Sequence, residues 1–121
     1  MTVFGLRGAI TVEANDRESI LGATRELLDE LIARNALSQD DIVSCILSMT
    51  DDLNAEFPAV AAREMGLDQV PLLCVREIAV PGSMERVIRA LVHYRAASDH
   101  RAQHVYLREA QSLRSDISGA Q

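Results

Sequence analysis

Apolar residues fill Val3 to Val12 almost without a break, with Gly5, Gly8 and Ala9 as small members and Arg7 as the one charge. The run predicts a first strand, and glycines inside a strand mark a place where something comes close to the backbone. A helical period follows: Ile20, Leu21, Leu27, Leu28, Leu31 and Ile32 fall on one stripe, with charged residues on the other face. Asn15 is the expected N-cap, Glu18 completes a capping box, and Asn35 suits the end because it tolerates the left-handed conformation. After a turn at Ser38 to Asp41, Ile42 to Met49 predicts a second strand, with Ile42, Val43, Ile46 and Leu47 supplying core. Asp51, Asp52 and Asn54 mark a loop. Phe57-Pro58 then opens a short helix that Gly66 ends.

The stretch Val70 to Ile78 predicts a buried strand, started by Pro71 and closed by the Pro81-Gly82 turn, with Cys74, Arg76 and Glu77 in its second half. Strict alternation sets Cys74 and Arg76 on one face and Glu77 on the other, so Cys74 and Glu77 share a pocket only where the strand twists, bulges or ends. Met84 to Arg95 fits both periods: Met84, Val87, Ile88, Leu91 and Val92 suit a helix, while Ile88, Ala90, Val92 and Tyr94 alternate as in a strand. Ser98 to Gln103 is polar connection, Val105-Tyr106-Leu107 a short strand, and Ser115 to Gln121 a fraying tail. This order gives a single α+β domain over residues 1–121, a mixed sheet with one long helix and one short helix over one face.

Composition narrows the chemistry. A chain of 121 residues suits one domain, and no apolar run approaches the ~20 residues of a membrane span. Met1 to Arg7 has no basic region followed by an apolar one, so no secretion signal is expected. Cys45 and Cys74 match no metal or redox spacing, which suits free thiols in a reduced cytoplasmic setting. A net charge of -6 argues against nucleic acid as a partner. All twelve basic residues are arginine, so Schiff-base chemistry and a phosphate-loop lysine are excluded. His93, His100 and His104 lack a carboxylate-rich metal motif and read as solvated or capping residues, so no metal is expected.

Arginines inside apolar segments are the more informative signal: Arg7 in the first strand, Arg63 in the short helix, Arg89 in the ambiguous segment and Arg114 after Leu113. Taken singly each suits a snorkelling surface residue. Several converging would make a pocket for a substrate with more than one carboxylate, because the guanidinium fork grips a carboxylate through two parallel hydrogen bonds.

Six fragments carry a family likeness: Phe4 to Glu13, Ser48 to Leu53, Phe57-Pro58-Ala59 with Ala62-Arg63-Glu64, Val70-Pro71 with Cys74 and Glu77, Ile88-Arg89, and His104 to Leu107. Together, from about residue 3 to Asp116, they resemble the AroH-class monofunctional chorismate mutases. The resemblance implies conversion of chorismate to prephenate without a cofactor, a homotrimer with a barrel-like core and active sites at subunit interfaces, and a strand for Met84 to Arg95. It also implies that Arg89, Glu77 and Arg7 form the centre of the site, with Cys74 and Tyr106 flanking. Phe57 and Ala59 would line the wall, Arg63 the entrance, and Leu113 with Arg114 a closing C-terminal segment. The family often has lysine two residues after Pro58, where this chain has Val60, so cationic help at the pocket mouth falls to Arg63 or Arg114. The other class these features suit is a trimeric metabolite-binding or imine-hydrolysing module with an arginine-lined interface pocket.

Overall fold

The computed structural model of the chain describes residues 1–113. Five strands and two helices follow along it, alternating only as far as β3: β1 (Thr2–Thr11), α1 (Arg17–Arg34), β2 (Ile42–Met49), α2 (Ala59–Glu64), β3 (Leu72–Arg76), β4 (Val87–Ala96) and β5 (Val105–Leu107), with 3-10 turns at Gln39–Asp41 and Arg108–Ser112. The strands form one mixed sheet in the order β3-β2-β4-β1-β5. β4 runs antiparallel to both β1 and β2, whereas β1–β5 and β2–β3 are parallel pairs. The segment with two competing periods is therefore a strand: its even residues Ile88, Ala90, Val92 and Tyr94 are all buried in the core.

Period 2 divides the sheet into a covered and an uncovered face. Leu6, Ile10, Cys45, Leu47 and Ile88 pack in one cluster with Ile20, Leu27, Leu28 and Leu31 of α1. Gly8 lets the helix approach, since a Cβ there would lie 2.9 Å from Leu27 Cδ1 and 3.1 Å from Leu31 Cδ1. Arg7, Ala9, Ile46, Ser48, Arg89, Leu91 and Tyr106 border a hollow on the face away from the helices. Val3, Leu73 and Val75 alternate onto that same face and stay exposed.

Several local expectations shift by a residue or a face. The N-cap of α1 is Asp16, whose Oδ1 accepts from the Ser19 N–H at 2.7 Å. Asn15 is occupied elsewhere, its Oδ1 accepting from Asn54 and Ala55 N–H, so the expected capping box with Glu18 does not form. Asn35 keeps an ordinary φ of -110°; Ala36 takes the left-handed turn (φ 51°). Asn35 is instead buried, joining the helix end to the Gln103 backbone. In β2 the residues buried in the core are Cys45 and Leu47, with Ile42 packed against it as expected, while Ile46 turns to the opposite face. Gly66 does end α2, at φ 94°, with Leu67 N–H donating to Ala62 and Gly66 N–H to Arg63. The run from Val70 is not a buried strand: β3 is an edge strand, with Leu73 58% and Val75 41% exposed.

Candidate active site

β4 and β1 are neighbours in register, Ala9 opposite Arg89 and Arg7 opposite Leu91, so two arginines rise from adjacent strands on the uncovered face. β5 adds Tyr106 opposite Ala9. Arg7, Arg89 and Tyr106 thus line one cavity of about 230 Å³, floored by Gly8, Ala9, Ile46 and Ala90. Here three residues far apart in sequence are brought together by strand pairing alone.

Glu77 joins them because β3 ends at Arg76. Its N–H donates to the Met49 carbonyl at 2.9 Å, continuing the β2–β3 edge, and its side chain turns toward β4. Arg89 Nε donates to Glu77 Oε2 at 2.9 Å and Oε1 at 3.1 Å, and Ser48 Oγ donates to Oε2 at 2.7 Å. The Glu77 side chain is only 17% exposed, so the carboxylate has lost most of its water and is held by these donors. The terminal nitrogens of Arg89 have no hydrogen-bond partner among the described residues, and its side chain remains 41% exposed. A fixed guanidinium therefore presents free N–H groups to the cavity.

Tyr106 is the complementary case. Its hydroxyl is buried and has no partner among the described residues, an unmet hydrogen-bonding capacity that a bound ligand can satisfy. Behind it, Ala9, Val87 and Ala110 form a small core against which Met84, Tyr106 and Leu113 pack. Arg108, at φ 55°, fastens this corner by donating to the Thr11 carbonyl and to Glu26. Leu113 thus packs against the same small core as the tyrosine, while Arg114 lies outside the described residues.

The remaining sequence-derived positions lie elsewhere, and only two of them share a hollow. Cys74 and Phe57 line a second hollow of about 360 Å³ with Met49, Leu53 and Arg76, at the β3 edge on the helix-covered side. Phe57 is 65% exposed there, Ala59 is buried at the first turn of α2, and Arg63 is exposed on the same helix. Within one chain Cys74 and Glu77 do not meet, as strand alternation requires. The strand end that was to reunite them turns Glu77 toward Arg89 instead.

Ser48 and His104 were missed as contributors. Ser48 could have been found from period 2, since it shares the face of Ile46, opposite Arg89 in register. His104 stood in one of the family-like fragments but read as a solvated or capping residue; its Nδ1 accepts the Arg7 N–H at 3.0 Å, a contact between residues 97 positions apart. The other histidines are also partnered, His93 with Ser44 and His100 with Tyr94. Among the described residues no group of three or more His, Cys, Asp or Glu could hold a metal ion, and no helix is long and apolar enough to cross a membrane.

The chain is similar to known proteins over nearly its whole length. Residues 3–117 match the family model for chorismate mutase type I. Chorismate mutase AroH of Thermus thermophilus is 48% identical over 121 residues, covering 98% of this chain and 99% of that protein. Chorismate mutase AroH of Bacillus subtilis is 39% identical over 120 residues, covering 98% of this chain and 94% of that protein. A solved chorismate mutase from Clostridium thermocellum superposes with a TM-score of 0.88 at 44% identity, covering 91% of this chain and 99% of that one.

Proposed function

The chain belongs to the chorismate mutase type I family, and on that premise we propose how it rearranges chorismate to prephenate: by binding a compact conformer in the arginine cavity and stabilising charge as the bond breaks. It is an isomerase of aromatic amino acid biosynthesis. The reaction exchanges a C–O for a C–C bond within one molecule, so it requires no nucleophile and no proton transfer. An enzyme can contribute the reactive geometry of a flexible dianion and preorganised donors where negative charge develops.

The residues suit those two tasks. Arg89 would place its free terminal N–H groups against the ether oxygen, which gains negative charge as the C–O bond lengthens. Glu77 holds that guanidinium through Nε, so little reorganisation is needed at the moment of reaction. Arg7 and the unpartnered Tyr106 hydroxyl would hold a carboxylate, and Glu77 would receive the ring hydroxyl.

The observation that carries the reading is the uncovered sheet face: a cavity with two arginines and an unsatisfied tyrosine, on a face that also leaves Val3, Leu73 and Val75 exposed. A surface so lined suits burial against another copy. We propose a homotrimer in which these sheet faces form a shared, barrel-like core and each site is completed by the neighbour's Phe57, Ala59, Arg63 and Cys74. Leu113 with Arg114 would close over it. The two free cysteines, Cys45 and Cys74, support a reduced, cytoplasmic setting.

The test is the loss of chorismate's ultraviolet absorbance on adding the pure protein, with the product identified as prephenate and the mass measured by light scattering. Turnover by a trimer supports the proposal. A monomer that turns over at full rate would contradict the shared site, and binding without turnover would contradict the mechanism.

A further inference from the structure

The mechanism above leaves His104 unused, although it touches a residue that lines the cavity. The β1–β5 ladder begins with Gly8 opposite Val105, and one residue earlier the Arg7 N–H donates to His104 Nδ1. A side chain thus takes the place of a strand carbonyl at the point where both Arg7 and the start of β5 are positioned. We propose that His104 is a positioning residue for the reaction: as a neutral imidazole with its proton on Nε2, it fixes the backbone of Arg7 and the entry to β5, and so aligns Arg7 and Tyr106 on the substrate carboxylate. The inference rests on the reading of Arg7 and Tyr106 as carboxylate ligands.

Protonation breaks this arrangement. Nδ1 accepts only while it lacks a proton; a protonated ring would set N–H against N–H and bring a second cation beside Arg7. Partial loss of water around the ring, and then the Arg7 guanidinium, hold the His104 imidazole below its usual range near 6.5, which keeps the acceptor form at neutral pH. Because the folded value is the lower one, the alignment is intact above about 6.5 and is lost as pH falls through the folded value. Arg7 of β1 is the charged group acting on the ring. Tyr106 lies two residues along β5, and α1 reaches this corner through the neutral Asn35, which holds the Gln103 N–H and carbonyl.

Steady-state kinetics with chorismate from pH 5 to 8 test this on the full chain, His104→Ala, His104→Asn and Arg7→Ala. Asparagine places Oδ1 where the imidazole has Nδ1 and accepts at every pH. The wild type should show KM rising severalfold toward pH 5 with a smaller change in kcat. His104→Ala should show the raised KM throughout, and His104→Asn an intermediate KM without the acid-side rise. An acid-side rise that persists in His104→Asn, or a wild-type KM in His104→Ala at pH 7, overturns the inference. If Arg7→Ala is impaired while the His104 variants are silent, the inference alone falls; if Arg7→Ala has a wild-type KM, the reading of Arg7 falls and takes the inference with it. Should both His104 variants fail to fold, nitrogen NMR of the wild-type ring at pH 7.5 decides: an unprotonated Nδ1 supports the proposal and a protonated one overturns it.

Discussion

Replacing Arg89 by alanine removes the donor that the proposed mechanism places against the breaking bond. In the structure its Nε is engaged twice by Glu77, at 2.9 and 3.1 Å, so the guanidinium of this cavity-lining residue is already held in place. Loss of one preorganised donor to developing negative charge costs about 3 to 4 kcal/mol, a fall in kcat of at least about a hundredfold. The fold should tolerate the change. The Arg89 side chain is 41% exposed but Glu77 only 17%, so removing the guanidinium should cost about 1 to 2 kcal/mol of stability. Glu77 retains the Ser48 hydroxyl, so the melting temperature should fall by no more than about 10 °C. Arg89→Lys separates charge from geometry, since a lysine ammonium is a point charge that cannot grip Glu77 and reach the cavity through separate nitrogens. The assay is chorismate absorbance at saturating substrate, with calorimetric melting alongside. A kcat within tenfold of wild type in folded Arg89→Ala would refute the role given to Arg89.

Glu77→Gln should lower kcat about tenfold by weakening a charge-assisted hold on Arg89, and its pH profile should show no new proton-transfer limb near neutrality; a steep limb for one group near pH 7 in the wild type, absent in the variant, would argue for acid–base catalysis. Gly8→Ala should destabilise the fold by about 1 to 2 kcal/mol, because the new methyl meets the tips of Leu27 and Leu31, both fully buried; an unchanged melting temperature would show that α1 can shift freely. Burial pushes the Cys45 thiol up to about 12, so alkylation at pH 8 should modify Cys74 and spare Cys45 in the native protein, as peptide mass mapping will show.

Period alone placed two strands, Ile42–Met49 and Val105–Leu107, with the bounds that the pattern gives, but left Met84 to Arg95 open between helix and strand. Pattern was silent about the sheet's order. It could not say that β4 lies between β1 and β2, the arrangement that sets Arg89 beside Ala9 and faces it with Ser48. The β3 run misled for a related reason, since an apolar edge strand and a buried one have the same composition, and only position in the sheet separates them. The N-cap failed where long-range bonds competed: Asn15 is a good local cap residue, but its side chain accepts from the backbone of a distant loop, whereas Asn35 does cap the end of α1, though without the left-handed φ. The candidate residues were legible through resemblance, but their division into two groups, Arg7, Arg89, Glu77 and Tyr106 apart from Phe57 and Cys74, required the fold.

That division makes a site shared between subunits testable by complementation. Arg89→Ala inactivates one half, and Phe57→Asp, at an exposed position, sets a carboxylate in the other half against a dianionic substrate. Each variant alone should be nearly inactive. Unfolded together in equal amounts and refolded, they should form hybrid trimers in which some interfaces carry both intact halves. For head-to-tail contacts in a random trimer, activity should recover to about a quarter of wild type. Refolded mixtures that stay as inactive as the separate variants, while light scattering shows trimers with both chains, would contradict the account.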